Sequence, residues 1–128
     1  HRAIAEGMDG KRYKTIYVVV KSIGTMILSN LIHEPFLEEA RFIWLTPLLQ
    51  RDQVFQAMLH GVQEGLSIIG NQDHGCFIEE RVEQLKENKK LSVKVVDGGN
   101  HSLELEDDPI ESVDLLKEVL IDIKRFIK

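Results

Sequence analysis

Short apolar runs alternate with longer amphipathic stretches along most of this chain, and this alternation constrains its fold more than any other feature. The first run, Thr15 to Val20, is β-branched and aromatic without polar alternation, which is typical of a strand covered on both faces. We therefore predict a central parallel strand there. Three more apolar runs follow, each after a stretch of helical periodicity. Strands that alternate with helices predict an α/β fold with a mostly parallel sheet and helices on both faces.

The last helix is the most clearly patterned element of the chain. Its apolar residues recur at steps of three and four, and its charges change from acidic to basic along its length, which opposes the helix dipole. Glycine and proline residues mark the ends of several elements. The predicted strands are Thr15–Val20, Phe42–Leu45, Leu66–Ile69 and Leu91–Val96, and the predicted helices are Thr25–Ile32, Leu48–Val62, Phe77–Glu87 and Pro109–Lys128.

Length and charge narrow the classes of function. The 128 residues fit one domain with its own hydrophobic core, spanning residues 1–128. With 16 Lys and Arg against 21 Asp and Glu, the chain has no positive excess to bind nucleic acid or an anionic membrane surface. No apolar run approaches the roughly 20 residues of a membrane span. A single cysteine, Cys76, excludes a disulfide framework and suits a reducing, cytoplasmic setting.

Polar residues that carry chemistry follow three of the predicted strands. Ser22 follows the first strand, Asp73 the third and His101 the fourth. Because the carboxyl ends of parallel strands meet at one edge of a sheet, we expect these side chains to lie close together. A serine hydroxyl is a weak nucleophile that needs an imidazole to take its proton, and an acid to orient that imidazole. The three residues are therefore candidates for a catalytic triad.

The segments around these residues resemble those of the α/β-hydrolase fold serine hydrolases. Val20 to Thr25, V-K-S-I-G-T, resembles the nucleophile elbow, Ile69 to Asp73 the acid loop, and Gly98 to Leu103 the histidine loop. The order Ser, Asp, His is the order this fold uses. The resemblance covers Tyr13 to Lys128 and corresponds to the C-terminal half of the family's fold, a three-layer sandwich.

The resemblance implies a hydrolase of an ester, thioester or related acyl bond, acting on a small-molecule acyl substrate through an acyl-enzyme on Ser22. His101 would be the general base and then the acid, Asp73 would orient it, and the backbone N–H of Ile23 would stabilise the oxyanion. Neither a cofactor nor a metal is expected. The apolar residues Trp44, Leu45 and Leu48, at the end of the second strand and just after it, are expected to contact the substrate, with core packing as the alternative.

The chain departs from the family's pattern in two ways. Val20 stands where the family's elbow has its first glycine, and a β-branched side chain is expected to crowd that turn. The family's fold also has strands before the elbow, and a loop after one of them supplies the second oxyanion-hole amide. We expect an N-terminal portion to precede this chain in a longer protein; the alternative is a reduced form with an incomplete oxyanion hole. In the reduced form the first strand would be an open edge that pairs with a second copy, giving a homo-oligomer.

Each candidate residue also has a structural interpretation. Ser22 could cap the helix that follows it, Asp73 could cap the helix near Phe77, and His101 could be a solvated loop histidine. A metal site with His74 is disfavoured, because adjacent residues such as Asp73 and His74 rarely point at one ion. The alternative function is a non-catalytic α/β-hydrolase-like module that binds a partner or ligand.

Cys76 lies near a predicted helix start. That position could lower its pKa, but a small buried side chain is the favoured interpretation.

Overall fold

A computed structural model describes residues 15–105 and 108–127 of the chain. Within these ranges the chain alternates strands and helices, and a short 3₁₀ turn at Pro35–Leu37 precedes the second strand. In chain order the elements are β1 (Tyr17–Lys21), α1 (Ile23–Leu31), β2 (Arg41–Leu45), α2 (Asp52–His60), β3 (Gly65–Gly70), α3 (Glu79–Leu85), β4 (Leu91–Val96) and α4 (Pro109–Ile127).

The four strands of the described ranges form one sheet in the order β1-β2-β3-β4, and each neighbouring pair is parallel. The predicted parallel sheet is therefore confirmed. The bounds of β4 agree with the prediction, and those of the other strands differ by one or two residues. Parallel strands that follow one another in this order place all their carboxyl ends at one edge of the sheet.

Helices cover both faces of the sheet, which confirms the predicted α/β layers. On one face, α1, α2 and α3 pack on the sheet through Leu28, Phe55 and Leu85, which belong to one buried cluster. On the other face α4 is the one helix of the described residues, with Val119 in a smaller cluster that contains Ile43, Leu66, Ile68, Val96 and Leu103. Successive side chains of a strand point to opposite faces of the sheet. Ile43 and Ile68 therefore face α4, and residues next to them in β2 and β3 face the three helices.

Two of the helices are shorter than their sequence pattern predicts. The predicted helix from Leu48 to Val62 begins only at Asp52, because the chain first makes an irregular turn. Thr46 has a φ of 44°, and the N–H of Leu49 donates to the Pro47 carbonyl over 2.9 Å. The predicted helix Phe77–Glu87 is reduced to Glu79–Leu85, while α4 begins at Pro109 as predicted. Its predicted last residue, Lys128, lies outside the described residues.

β1 is an edge strand of the described sheet, where the sequence pattern predicts a central strand. Among residues 15–105 and 108–127 no strand pairs with its outer side, and Val19 is 54% exposed. A groove of about 310 Å³ runs between β1 and α1, lined by the apolar side chains of Ile16, Val18, Val20, Ile27, Leu28, Leu31, Phe36 and Leu37. A β-branched run is compatible with an edge strand as well as with a central strand, since composition does not determine which strands pair.

The longest helix of the described residues, α4, has 19 residues and ends against β1. There the Tyr17 hydroxyl donates to the Ile127 carbonyl over 2.7 Å, and the Tyr17 and Phe126 rings meet edge to face. In the described part of the chain, no helix is both long enough and apolar enough to cross a bilayer.

Candidate active site

Ser22 occupies a sharp turn between β1 and α1. Its N–H donates to the Leu45 carbonyl over 3.1 Å, so the parallel ladder with β2 continues to this residue. Its own carbonyl accepts from the Thr25 N–H at 2.9 Å and from the Thr25 hydroxyl at 2.6 Å, which starts the helix at once. The reversal requires a φ of 55° and a ψ of −117° at Ser22, a conformation that an L-residue adopts only under strain.

The Ser22 side chain faces the histidine loop and not the helix. Its Oγ lies 2.9 Å from His101 Nε2, across 79 residues of sequence. Within the described residues it accepts no capping hydrogen bond from the amides of α1. The helix-cap interpretation of Ser22 is therefore wrong, because the strained backbone directs the hydroxyl away from the helix amides.

Gly24 faces Val20 across this turn. A Cβ placed on Gly24 would lie 3.4 Å from Val20 Cβ, which is ordinary van der Waals contact. This contact therefore does not show the crowding expected from a β-branched residue at position 20, and Val20 packs on the buried cluster beneath α1. The segment V-K-S-I-G thus forms a sharp strand-to-helix turn with valine in its first position.

Asp73 lies in the loop after β3 and is 2% exposed. Its Oδ2 lies 2.8 Å from His101 Nδ1. The backbone around it is a tight turn: its N–H donates to the Gly70 carbonyl over 3.2 Å, and its carbonyl accepts from Cys76 at 3.1 Å and from Phe77 at 2.9 Å. The backbone of Asp73 therefore forms the turn ahead of α3, and the carboxylate remains directed at the histidine.

Two glycines bring the acid loop and the histidine loop together. A Cβ on Gly70 would overlap the carbonyl oxygen of Gly99, so only glycine fits at this close backbone approach. The same Gly99 carbonyl accepts from the Gln72 N–H at 2.9 Å. The Asn71 side chain also links the two loops, since it accepts from the Gly98 N–H at 2.8 Å and donates to Asp97 at 3.0 Å. Asp97, the other acid near a strand end, is thus engaged by Asn71.

The Asp73 contact sets the proton on the His101 ring. A carboxylate can only accept a hydrogen bond, so the Nδ1 that contacts it carries the ring proton. Nε2 of the neutral ring is then an acceptor, and the Ser22 hydroxyl donates to it. The His101 side chain is 42% exposed, which leaves one side of this arrangement open to solvent. The interpretation of His101 as merely a solvated loop residue is wrong, because both of its ring nitrogens have partners.

Cys76 is a neighbour of Asp73 and His101 that the sequence did not assign to the site. Its Sγ lies 3.9 Å from His101 Nδ1, and the thiol is buried, as the favoured interpretation of this residue predicts. Burial raises the pKa of the Cys76 thiol, and the charge of Asp73 and a hydrogen bond with it raise the pKa further, while a hydrogen bond from Gln50 acts in the opposite direction. The spacing Asp73-x-x-Cys76, which fits a tight turn, is the sequence feature that could have placed Cys76 near the site.

The three apolar residues that were predicted to contact the substrate are buried to different extents. Trp44 is 2% exposed and packs edge to face on Phe42, and Leu48 belongs to the same buried cluster. Leu45 is half-buried and packs on the cluster beneath α4. Core packing therefore accounts for Trp44 and Leu48, and substrate contact in this region stays a prediction.

Ile23 is the first residue of α1, where a backbone N–H has no acceptor within its own helix. Its amide follows Ser22 directly at the edge that carries the three polar side chains. That position leaves the N–H available to an oxygen bound next to Ser22.

Comparisons with known protein families, with characterised proteins and with solved structures found no match for this chain. The fold class and the geometry of the site therefore stand as the basis for inferring a function.

Proposed function

We propose that this protein is a serine hydrolase of the α/β-hydrolase type that cleaves an ester, thioester or related acyl bond. The observation that carries the proposal is the continuous contact from Ser22 Oγ to His101 Nε2 at 2.9 Å and from His101 Nδ1 to Asp73 Oδ2 at 2.8 Å. The serine at one end of this contact lies on a strained strand-to-helix turn, as a nucleophile elbow requires.

In the proposed reaction Ser22 Oγ attacks the acyl carbon while its proton passes to His101 Nε2. The alcohol or thiol leaves with that proton, and the acyl group stays on Ser22. Water then gives a proton to Nε2 and attacks the acyl carbon, and the proton returns to Ser22 as the acid departs. Asp73 keeps the ring proton on Nδ1 and stabilises the imidazolium that forms in each step.

The oxyanion of each tetrahedral intermediate would form beside the first turn of α1. The N–H of Ile23 points out of the helix start, and the helix dipole adds a partial positive charge there. Lys21 and Ile23 flank the serine with exposed side chains. Removal of one such amide typically costs about 10²- to 10³-fold in rate, so this single donor is a substantial part of the proposed catalysis.

A non-catalytic binding module is the second candidate function. It is favoured by the apolar groove between β1 and α1, which is suited to a protein or hydrophobic ligand. A binding module has no need for a hydroxyl, an imidazole and a buried carboxylate in hydrogen-bonded order. Chemical reactivity of Ser22 therefore discriminates between the two functions.

The test is labelling of the folded protein by a fluorophosphonate probe, which forms a bond from an activated serine oxygen to phosphorus with loss of fluoride. Mass spectrometry of the intact protein and its peptides would locate the adduct. We expect one adduct, on Ser22, that is absent from Ser22→Ala. The matched control is Ser102→Ala, which removes an exposed serine next to His101 and should leave labelling unchanged.

The wild-type protein in denaturant serves as the second control and should not be labelled, because an isolated serine hydroxyl is a weak nucleophile. Absence of an adduct from a chain whose circular dichroism shows it folded would contradict the hydrolase proposal and favour the binding module. An adduct that persists in Ser22→Ala would show that the reactive residue lies elsewhere.

A further inference from the structure

Three metal-binding side chains converge behind the imidazole of His101. The ligand atoms of Asp73, Cys76 and His101 all lie within 4.8 Å of one another. We propose that they form a binding site for Zn²⁺ or a similar thiophilic divalent cation, and that an ion bound there switches off the nucleophile. The binding site stands on geometry alone, and its inhibitory effect rests on the proposed function.

The spacing of the ligand atoms is close to that of a tetrahedral zinc site. Bond lengths of about 2.0 to 2.3 Å place the ligand atoms of such a site roughly 3.4 to 3.6 Å apart. His101 Nδ1 lies 2.8 Å from Asp73 Oδ2 and 3.9 Å from Cys76 Sγ. Shifts of about half an ångström in these two pairs, which side-chain rotation can supply, would admit the ion, and the third pair, Asp73 with Cys76, lies within 4.8 Å.

The chemistry of the ligands selects the ion. A thiolate with an imidazole is the set that zinc prefers, whereas Mg²⁺ and Ca²⁺ bind oxygen ligands almost exclusively. Asp73 and Cys76 are buried, and the partly exposed ring of His101 provides the route from solvent. Water would complete the fourth position on that open side.

Binding would move two protons. The ion takes the place of the proton on His101 Nδ1, and the neutral ring then carries its proton on Nε2. Cys76 loses its thiol proton to solvent as the metal–sulfur bond forms. Nε2 now donates to Ser22 Oγ and can no longer accept the serine proton, so the hydroxyl is not activated.

Direct binding is tested first, with Cd²⁺ as the probe, because a cadmium–thiolate bond absorbs in the ultraviolet. Cys76 is the only cysteine of the chain, so this absorption reports that residue alone. We expect it to rise to one equivalent of Cd²⁺ and to fall when Zn²⁺ competes, but not when Mg²⁺ is added. His74→Ala, which removes an exposed histidine next to Asp73, should bind as the wild type does.

His101→Gln and Asp73→Asn each remove one of the other two ligands and should weaken binding at least about tenfold, whereas His60→Ala, at an exposed histidine on α2, should not. No cadmium–thiolate absorption in the folded wild-type protein would overturn the site. The site would also be overturned if His60→Ala or His74→Ala weakened binding as much as His101→Gln does, because surface histidines would then hold the ion.

Inhibition is tested by the rate of fluorophosphonate labelling with and without Zn²⁺, each variant being normalised to its own metal-free rate. At about ten times the dissociation constant, Zn²⁺ should slow labelling of the wild type about tenfold by mass action. Cys76→Ser and Cys76→Ala should each show less than about a twofold effect at that concentration. Slowing that is equal in the wild type and both variants would overturn the inhibitory role.

The two proposals can fail separately. A protein that shows the cadmium–thiolate absorption but is never labelled would retain the metal site and lose the hydrolase. A protein that is labelled but shows neither the absorption nor zinc inhibition would retain the hydrolase and lose the metal site.

Discussion

The serine side and the acid–histidine side of the candidate site are built differently. Ser22 follows β1, an edge strand of the described sheet, and its position is set by a local turn with a φ of 55°. Asp73 follows β3, whose residues are all buried, and the two loops that carry Asp73 and His101 are held by the close approach of Gly70 and Gly99. The position of Ser22 thus depends on backbone conformation, and the positions of Asp73 and His101 depend on packing between distant segments.

Because of this difference, substitutions on the two sides should affect activity and stability differently. On the serine side a change acts on a few local backbone angles, so chemistry can be lost without loss of the fold. On the acid–histidine side a change in backbone packing disturbs the fold and the site together.

The largest expected effect is on chemistry, from Asp73→Asn. An amide in place of the carboxylate can donate to His101 Nδ1, which places the ring proton on Nε2 and removes the acceptor for the Ser22 proton. The rate of fluorophosphonate labelling should fall about 10³- to 10⁴-fold. Asp97→Asn is the matched control: Asp97 accepts from Asn71, and an amide oxygen keeps that bond, so its rate should change little. Equal losses in the two variants would mean that Asp73 has no special role.

Gly70→Ala should have the largest effect on stability. The added methyl would overlap the Gly99 carbonyl oxygen, and neither backbone can move without disrupting the ends of β3 and β4. We expect a loss of about 3 kcal/mol in the free energy of unfolding, measured by urea denaturation.

The counterpart on the serine side is Gly24→Ala, whose methyl would meet Val20 Cβ at 3.4 Å in ordinary contact. The gain in helix propensity then offsets the tighter packing, and stability should stay within about 1 kcal/mol of the wild type. If the two variants were equally stable, the contrast between the two sides would not hold.

The Cys76 thiol should react slowly with iodoacetamide in the folded protein. Its pKa is raised by burial and by Asp73, so the reactive thiolate is depleted at neutral pH and increases only as the pH rises above the ordinary range of a thiol. The same chain in denaturant is the reference, since it has one thiol in both states. A folded protein that reacts as fast as the denatured one at pH 7 would contradict the buried placement of Cys76.

The smallest expected effect is on stability and comes from the backbone strain at Ser22. Ser22→Gly and Ser22→Ala both remove the hydroxyl, but only glycine tolerates a φ of 55° without penalty. We expect the glycine variant to be more stable than the alanine variant by about 1 kcal/mol, the reverse of the usual order within helices. A higher stability of the alanine variant would show that the turn is not strained.

The local hydrophobic pattern predicted the strands and helices. The features that it did not predict depend on contacts between distant segments. The periodic residues of α4 and the alternation of strands with helices gave the parallel sheet and the edge at which Ser22, Asp73 and His101 meet. The placement of β1 at the edge could not be read from its valines, because pairing is not encoded in composition. The proximity of Cys76 to His101 depends on a turn geometry that spacing suggests only weakly.

Ser22 and His101 follow the two outermost strands of the described sheet. Adjacent strands lie about 4.8 Å apart, so the ends of β1 and β4 are roughly 14 Å apart, and the His101 loop crosses that width to reach the serine. The Ser22–His101 hydrogen bond therefore closes a loop of chain that contains β2, β3, β4 and three helices. Any partly unfolded form that separates one strand from its neighbour breaks this bond, so the reactivity of one hydroxyl would report the cooperativity of the whole domain.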